Sequence, residues 1–269
     1  MQNDKINFSL IIPIGLMLFS FFFGAGNLIF PPVLGQMAGD NIGWGMLGFC
    51  LSGVGFPLLG VLAMAMKQSD NPDSIAMPMH PLYARAVTIL CALAIGPLFA
   101  IPRTAAVSFD TGIHSLLPAS CEALGLPVYT VFFFVLTYFF SINPSKIIGH
   151  IGKFLSPMLL ICLAVLVVCV FVNPTGSLKM PNPDFATSPF FRGFQEGYNT
   201  MDLLAAILFG SITIKAIEAQ GITDKKVLTK LCSYAGLIAA FFLAIIYAAL
   251  AYTGALSINV FGVIPNGAT

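Results

Sequence analysis

Charge is what this sequence has least of. Lys and Arg number 12 and Asp and Glu 11 among 269 residues, 9% together, where a soluble domain carries about 25%. A surface facing water on all sides cannot be built from so few charges, which excludes a soluble globular protein. The net charge of +1 leaves no basic field for a phosphate backbone and no acidic tail, so nucleic acid is excluded as a partner. Histidine is as scarce: His80, His114 and His150 share no helical face at ligand spacing. The six cysteines, Cys50, Cys91, Cys121, Cys162, Cys169 and Cys232, stand singly with no CxxC pair. A disulfide framework, a structural zinc site and a bound cofactor are therefore not expected. Nor does any HxxxxD, HExxH or GxSxG occur, so a membrane-embedded enzyme lacks the residues it would need.

In place of charge there are long apolar runs, with 58% hydrophobic residues and a mean hydropathy of +0.92. A helix needs about 20 apolar residues to cross the hydrocarbon core. That template predicts an all-α integral membrane protein, a single transmembrane domain over 1–269 with seven spans at 8–30, 42–66, 87–109, 127–143, 151–173, 197–218 and 231–256. The fourth is short and must draw on flanking residues. Lys5, Lys67, Arg85, Lys146, Lys153, Lys215, Lys225, Lys226 and Lys230 fall in the amino-terminal tail or alternate connections. Only Lys179 and Arg192 fall on the other side, and Arg103 lies within a span. Basic residues are retained on the cytoplasmic side, so the expectation is a multi-pass protein of the cytoplasmic (inner) membrane with its amino terminus inside. Phe8 to Phe30 is too long for a signal segment and is read as a retained span. The polar stretch Asn173 to Glu196 is read as an external loop.

The first span carries Phe23-Gly24-Ala25-Gly26-Asn27-Leu28-Ile29-Phe30-Pro31-Pro32. Glycines, an asparagine and a proline pair weaken the helix where lipid demands complete backbone pairing. Such a segment either packs small residues against a neighbour or breaks to line a cavity. A weaker copy, Phe209-Gly210-Ser211-Ile212-Thr213, lies in the sixth span, which enters from the opposite side. Five spans followed by an inverted repeat, with both first helices interrupted, is the pattern of one class of secondary transporters. Broken helices offer N–H groups to a carboxylate and C=O groups to a hard cation. On that reading Gly24, Ala25, Gly26, Phe209, Gly210 and Ser211 bind substrate, while Asn27, Ala25 and Thr213 bind a cation. Asn27 has capping its half-helix as its alternative role; for Ser211 and Thr213 the alternative is bonding to the preceding turn. Arg103, with Asp202 or Asp110 as partner, is a candidate gate, with snorkelling to the interface as the alternative. Phe21, Phe22, Phe23 and Phe209 suit the wall of an apolar pocket.

The run Gly15 to Pro32 resembles the first helix of the branched-chain amino acid carrier family, the BrnQ-type Leu/Ile/Val:cation symporters. Ala94-Ile95-Gly96-Pro97-Leu98-Phe99-Ala100-Ile101-Pro102-Arg103-Thr104-Ala105, Asn143-Pro144-Ser145-Lys146 and Gly197-Tyr198-Asn199-Thr200-Met201-Asp202 are similar to it too. The resemblance implies a five-plus-five inverted-repeat (LeuT-like) fold, with the first repeat at 8–173 and the second beginning at 197. It also implies symport of leucine, isoleucine or valine with Na⁺ or H⁺. Members of that family are longer, so the second repeat, 197–269, is expected to be incomplete. The alternative expectation is then a transport-incompetent fragment that needs a missing carboxyl-terminal half or a second copy.

Overall fold

Apolar runs become helix throughout the computed structural model, which describes residues 8–118, 122–142, 156–172 and 176–261; no strand occurs among them. The first span is split into α1 (Phe8–Phe22) and α2 (Ala25–Ala38). The second is α3 (Ile42–Cys50) and α4 (Phe56–Lys67), joined by a wide helical turn at Leu51–Gly55. The third is α5 (Pro81–Leu93) and α6 (Ala100–Gly112), the fourth α7 (Glu122–Ser141), and the described part of the fifth α8 (Ser156–Val172). A short α9 (Pro183–Thr187) precedes α10 (Pro189–Asn199) and α11 (Asp202–Glu218), and α12 (Lys225–Phe261) closes the order.

By length and composition four of these runs can cross a membrane, 25–67, 81–112, 124–141 and 225–258, and a fifth can if α10 and α11, bent by 46°, are one span. The run 25–67 is two limbs. Gly39, with φ +47°, reverses the chain at a point where a Cβ would lie 2.1 Å from the Lys179 carbonyl. Gly45 of α3 consequently lies back against Leu34 and Ala38 of α2. Only glycine fits both the backbone angle and the space.

Helix α12 is central. Gly15 of α1 meets Ala235 and Ile238, and Gly35 of α2 meets Ala251 and Ala255, so the first span runs parallel to α12. Gly193 of α10 meets Gly45, and Gly210 of α11 meets Val61 and Met64, so the sixth span runs parallel to α3 and α4. Between these pairs sit Phe19, Phe49, Leu34, Met64 and Tyr247, all without solvent access. By contrast, none of the apolar window of α7 is buried, as suits a helix whose solvent is lipid.

Charged residues collect at two ends. Lys215 of α11 lies 3.7 Å from Asp70 beyond α4, and the Gln68 amide donates to the Lys225 carbonyl. At the opposite end Asp40 N donates to Lys179 O and Arg192 pairs with Asp184 at 3.3 Å.

Two expectations need correction, and one interruption was not foreseen. Helix α10 occupies residues read as external loop, because Pro189 opens it at a permitted first-turn position and its Gly193 and Gly197 press against the α3 backbone. The third span is interrupted at Gly96, whose ψ of −119° precedes Pro97; proline disfavours helical backbone in the residue before it. The sixth span is interrupted too, but at Thr200–Met201, and α11 runs unbroken through Phe209-Gly210-Ser211. One glycine costs a helix only about 1 kcal/mol, and Gly210 offsets that by close packing on Met64. Asn143 to Lys146 and Lys153 lie outside the described residues.

Candidate binding cleft

Two chain breaks face each other. At the first, Phe23 N still reaches Phe19 O at 2.9 Å, closing α1, and Gly24 is extended (φ −105°, ψ −173°) before α2 begins. At the second, Thr200 Oγ1 donates to Gly197 O, and Met201 takes a left-handed conformation (φ 66°, ψ 10°) that starts α11. A non-glycine residue at positive φ is strained and persists only where its surroundings hold it. Here they do: Thr200 and Asp202 on either side are buried.

Asn27 ties the breaks together. It is buried, and its Oδ1 accepts from Gly24 N at 3.3 Å. Its Nδ2 donates to Asp202 Oδ2 at 2.5 Å and to the Tyr247 hydroxyl oxygen. Tyr247 OH in turn donates to Asp202 Oδ2 at 3.3 Å. Three side chains from α2, α11 and α12 thus form one buried polar network, which fixes the relative position of the three helices.

Beside this network is a cleft of about 100 Å³. Gly24, Ala25, Gly26 and Asn27 form one wall and Thr200, Met201, Asp202 and Ala205 another; Phe21, Phe22 and Phe209 close its apolar side. Phe209 packs on Phe21 and Phe22 with ring centroids 5.4 and 5.5 Å apart. The amides of the first turn of α2 have no partner within their own helix and carry the positive end of its dipole. Arg103 enters from α6, brought there by the interruption at Gly96. It donates to Asn199 O at 3.4 Å and lies 5.5 Å from the Phe30 ring centroid.

Of the residues singled out in the sequence, Gly24, Ala25, Gly26, Asn27, Arg103, Asp202 and Phe209 therefore meet around one cleft. Gly210, Ser211 and Thr213 do not line it. Gly210 faces α4, and the two hydroxyls donate to Leu208 O and Phe209 O of their own helix. In α11 the cleft face is Asp202, Ala205 and Phe209, at helical spacing. Arg103 and Asp202 line the same cleft, but the hydrogen bond of Arg103 goes to the end of α10. Asp110 is exposed at the far end of α6. Sequence reasoning missed Tyr247 and Thr200. Tyr247 is one of three tyrosines in the seventh span, with Tyr234 and Tyr252, and the signal was its place nearest the middle of that span, where a hydroxyl needs a partner.

A family model described as branched-chain amino acid transport protein matches residues 8–269. The chain is 45% identical over 267 residues to the branched-chain amino acid permease BrnQ of Bacillus subtilis, covering 99% of this chain and 61% of that permease. To BraB of the same organism it is 44% identical over 257 residues, 96% of this chain and 58% of the relative. To BrnQ of Escherichia coli it is 38% identical over 258 residues, again 96% and 58%. The chain spans about three-fifths of the length of these curated relatives. No solved structure matches it. All three relatives are named as permeases, in keeping with a membrane protein that is not an enzyme.

Proposed function

Because the chain belongs to the branched-chain amino acid transport protein family, we propose that it takes part in secondary active uptake of leucine, isoleucine and valine with Na⁺ or H⁺. Substrate binds in the cleft between the α1–α2 and α10–α11 breaks. The observation that carries this reading is the juxtaposition of two interrupted spans of opposite direction around one cleft. Helix ends inside a membrane bundle are tolerated only where they line a cavity, and substrate sites of inverted-repeat carriers are built there. The packing supports such a repeat. Exchanging span one with six and span two with seven converts the parallel contact of α1–α2 with α12 into that of α10–α11 with α3–α4.

The chemistry matches an α-amino acid with an aliphatic side chain. Its carboxylate meets the free amides of Ala25, Gly26 and Asn27 at the positive end of α2. Its ammonium takes the carbonyl end of α10, where Asn199 O accepts from Arg103. Its side chain lies against Phe21, Phe22 and Phe209. The cleft, at about 100 Å³, is below the about 300 Å³ of a typical small-molecule site, so Arg103 must leave Asn199 for substrate to enter. Arg103 acts in this way as a gate. The end bearing Lys67, Lys215 and Lys225 is the cytoplasmic one by the distribution of basic residues, with the amino terminus inside.

A second reading, binding without transport by this chain alone, rests on its covering about three-fifths of its relatives. Proteoliposomes holding the 269-residue chain decide between them. The experiment measures radiolabelled leucine uptake under a Na⁺ gradient and then a pH gradient, beside a longer relative active in the same preparation. Valine-competed, gradient-driven uptake supports the carrier, and saturable binding without uptake supports the second reading. Absence of both overturns the cleft as an amino acid site.

A further inference from the structure

Asp202 is the least expected group in the interior. It retains 5% of its surface, at a break between two halves of a membrane span. Its hydrogen-bonding neighbours among the described residues are an amide, Asn27, and two hydroxyls, Tyr247 and Thr200. All three are neutral. A carboxylate in a membrane interior requires a counter-charge or a proton, and three dipoles supply neither. Arg103 acts on it electrostatically, but its guanidinium is hydrogen-bonded to Asn199 O and lies by the Phe30 ring. The other titratable neighbours bring no positive charge. Cys50 of α3 faces Tyr247, and Glu196 of α10 accepts from Asn199 at 3.4 Å.

We propose that the Asp202 carboxylate, bracketed by Asn27 and Tyr247, is the seat of the coupling cation, one proton or one Na⁺. We further propose that Asn27 transmits its occupancy to the substrate cleft. The proposal deepens the carrier reading and rests on it for the word coupling; cation binding itself does not depend on that reading. The Asp202 carboxylate and the Tyr247 phenol oxygen are hard donors of the kind Na⁺ requires, to which Asn27 adds its amide oxygen only on turning it away from Gly24 N, and the same carboxylate accepts a proton. Coupling follows from the amide of Asn27 being shared. Its nitrogen holds Asp202 and Tyr247 while its oxygen holds Gly24 N, at the mouth of the cleft. A cation on Asp202 removes the demand for the amide N–H and frees Asn27 to change partners. The Gly24 amide is then released toward substrate. By linkage, substrate raises cation affinity by the same factor.

The test uses the purified full chain in lipid nanodiscs and reads the thermal unfolding midpoint. Na⁺ is titrated against choline at constant ionic strength, and pH is varied without Na⁺. A ligand bound only by the folded state raises that midpoint. Wild type is expected to respond to one of the two cations; a saturating Na⁺ response assigns Na⁺. A pH response accompanied by an infrared protonated-carboxyl band, both absent from Asp202→Asn, assigns the proton. Glu196→Gln is expected to respond as wild type. Should Asp202→Asn not fold, Tyr247→Phe decides: it keeps the ring against Phe49 and Phe23 and is expected to weaken cation affinity on the order of tenfold, one hydrogen bond to a charged group. No cation response in wild type overturns the proposal, as does an equal response in Asp202→Asn or Tyr247→Phe. A leucine-induced midpoint shift is measured separately; its absence beside an intact cation response overturns the carrier reading alone.

Discussion

The amide of Asn27 holds three partners, Gly24 N, Asp202 and Tyr247. Asn27→Ala leaves a buried carboxylate with one donor fewer and a phenol without its amide. The expected cost is about 1–3 kcal/mol of stability, measured as a lowered unfolding midpoint together with loss of cation dependence. Gly26 sits where a Cβ would lie 3.0 Å from Arg103 Nη2 and 3.2 Å from the Phe30 ring. Gly26→Leu fills the space between α2 and α6 and is expected to abolish leucine binding, measured by equilibrium binding of labelled leucine. Unchanged affinity would show that substrate binds elsewhere. Asn27, Gly26 and Arg103 stood out in the sequence because amides, paired glycines and arginines are rare in apolar runs. Tyr247 did not, since a tyrosine in a span also suits an interface; only its approach to Asp202 reveals its role.

Glycine seams decide how the helices approach. A Cβ on Gly35 would fall 1.8 Å from Ala251 O, and one on Gly254 would fall 2.1 Å from Pro32 O, so α2 and α12 touch backbone to backbone. Gly35→Val must push these helices apart and is expected to destabilise by about 3 kcal/mol or more, at the upper end of overpacking. Gly43, near the start of α3, has nothing within 4 Å of its Cβ position. Gly43→Ala is expected to change stability by no more than about 1 kcal/mol, in the favourable direction. Thermal unfolding of the two variants in one detergent checks both. The same comparison explains why the first break was readable and the second was misplaced. Gly24 stands in an Asn/Gly/Pro-rich segment, whereas Gly210 is flanked by residues that sustain a helix and has Met64 as its contact. The second break lies at Thr200–Met201, where no glycine or proline marks it. Its cause is tertiary, the burial of Thr200 and Asp202 beside Asn27.

For the whole molecule the proposed direction across the membrane follows from the distribution of basic residues. Asp184, paired with Arg192, and Asp224, which caps α12 through Lys226 N and Val227 N, are exposed at opposite ends. In a cysteine-free background, Asp184→Cys is expected to react with an impermeant maleimide in intact cells, and Asp224→Cys only after permeabilisation. The reverse pattern would invert the topology. The poorly buried faces of α5, α6 and α7 fit the same picture, since they are apolar without covering a core.

By itself the sequence determined the class, an apolar helical membrane protein, together with most span positions and the interrupted first helix. These follow from composition and local backbone preference, which act within a few residues. Tertiary structure decided where the sixth span breaks, that α10 is helix, and that Gly210, Ser211 and Thr213 turn from the cleft. It alone brought Asn27, Asp202 and Tyr247 into one network across separations of 175 and 220 residues. No local pattern encodes such contacts, because they arise from which helices pack side by side.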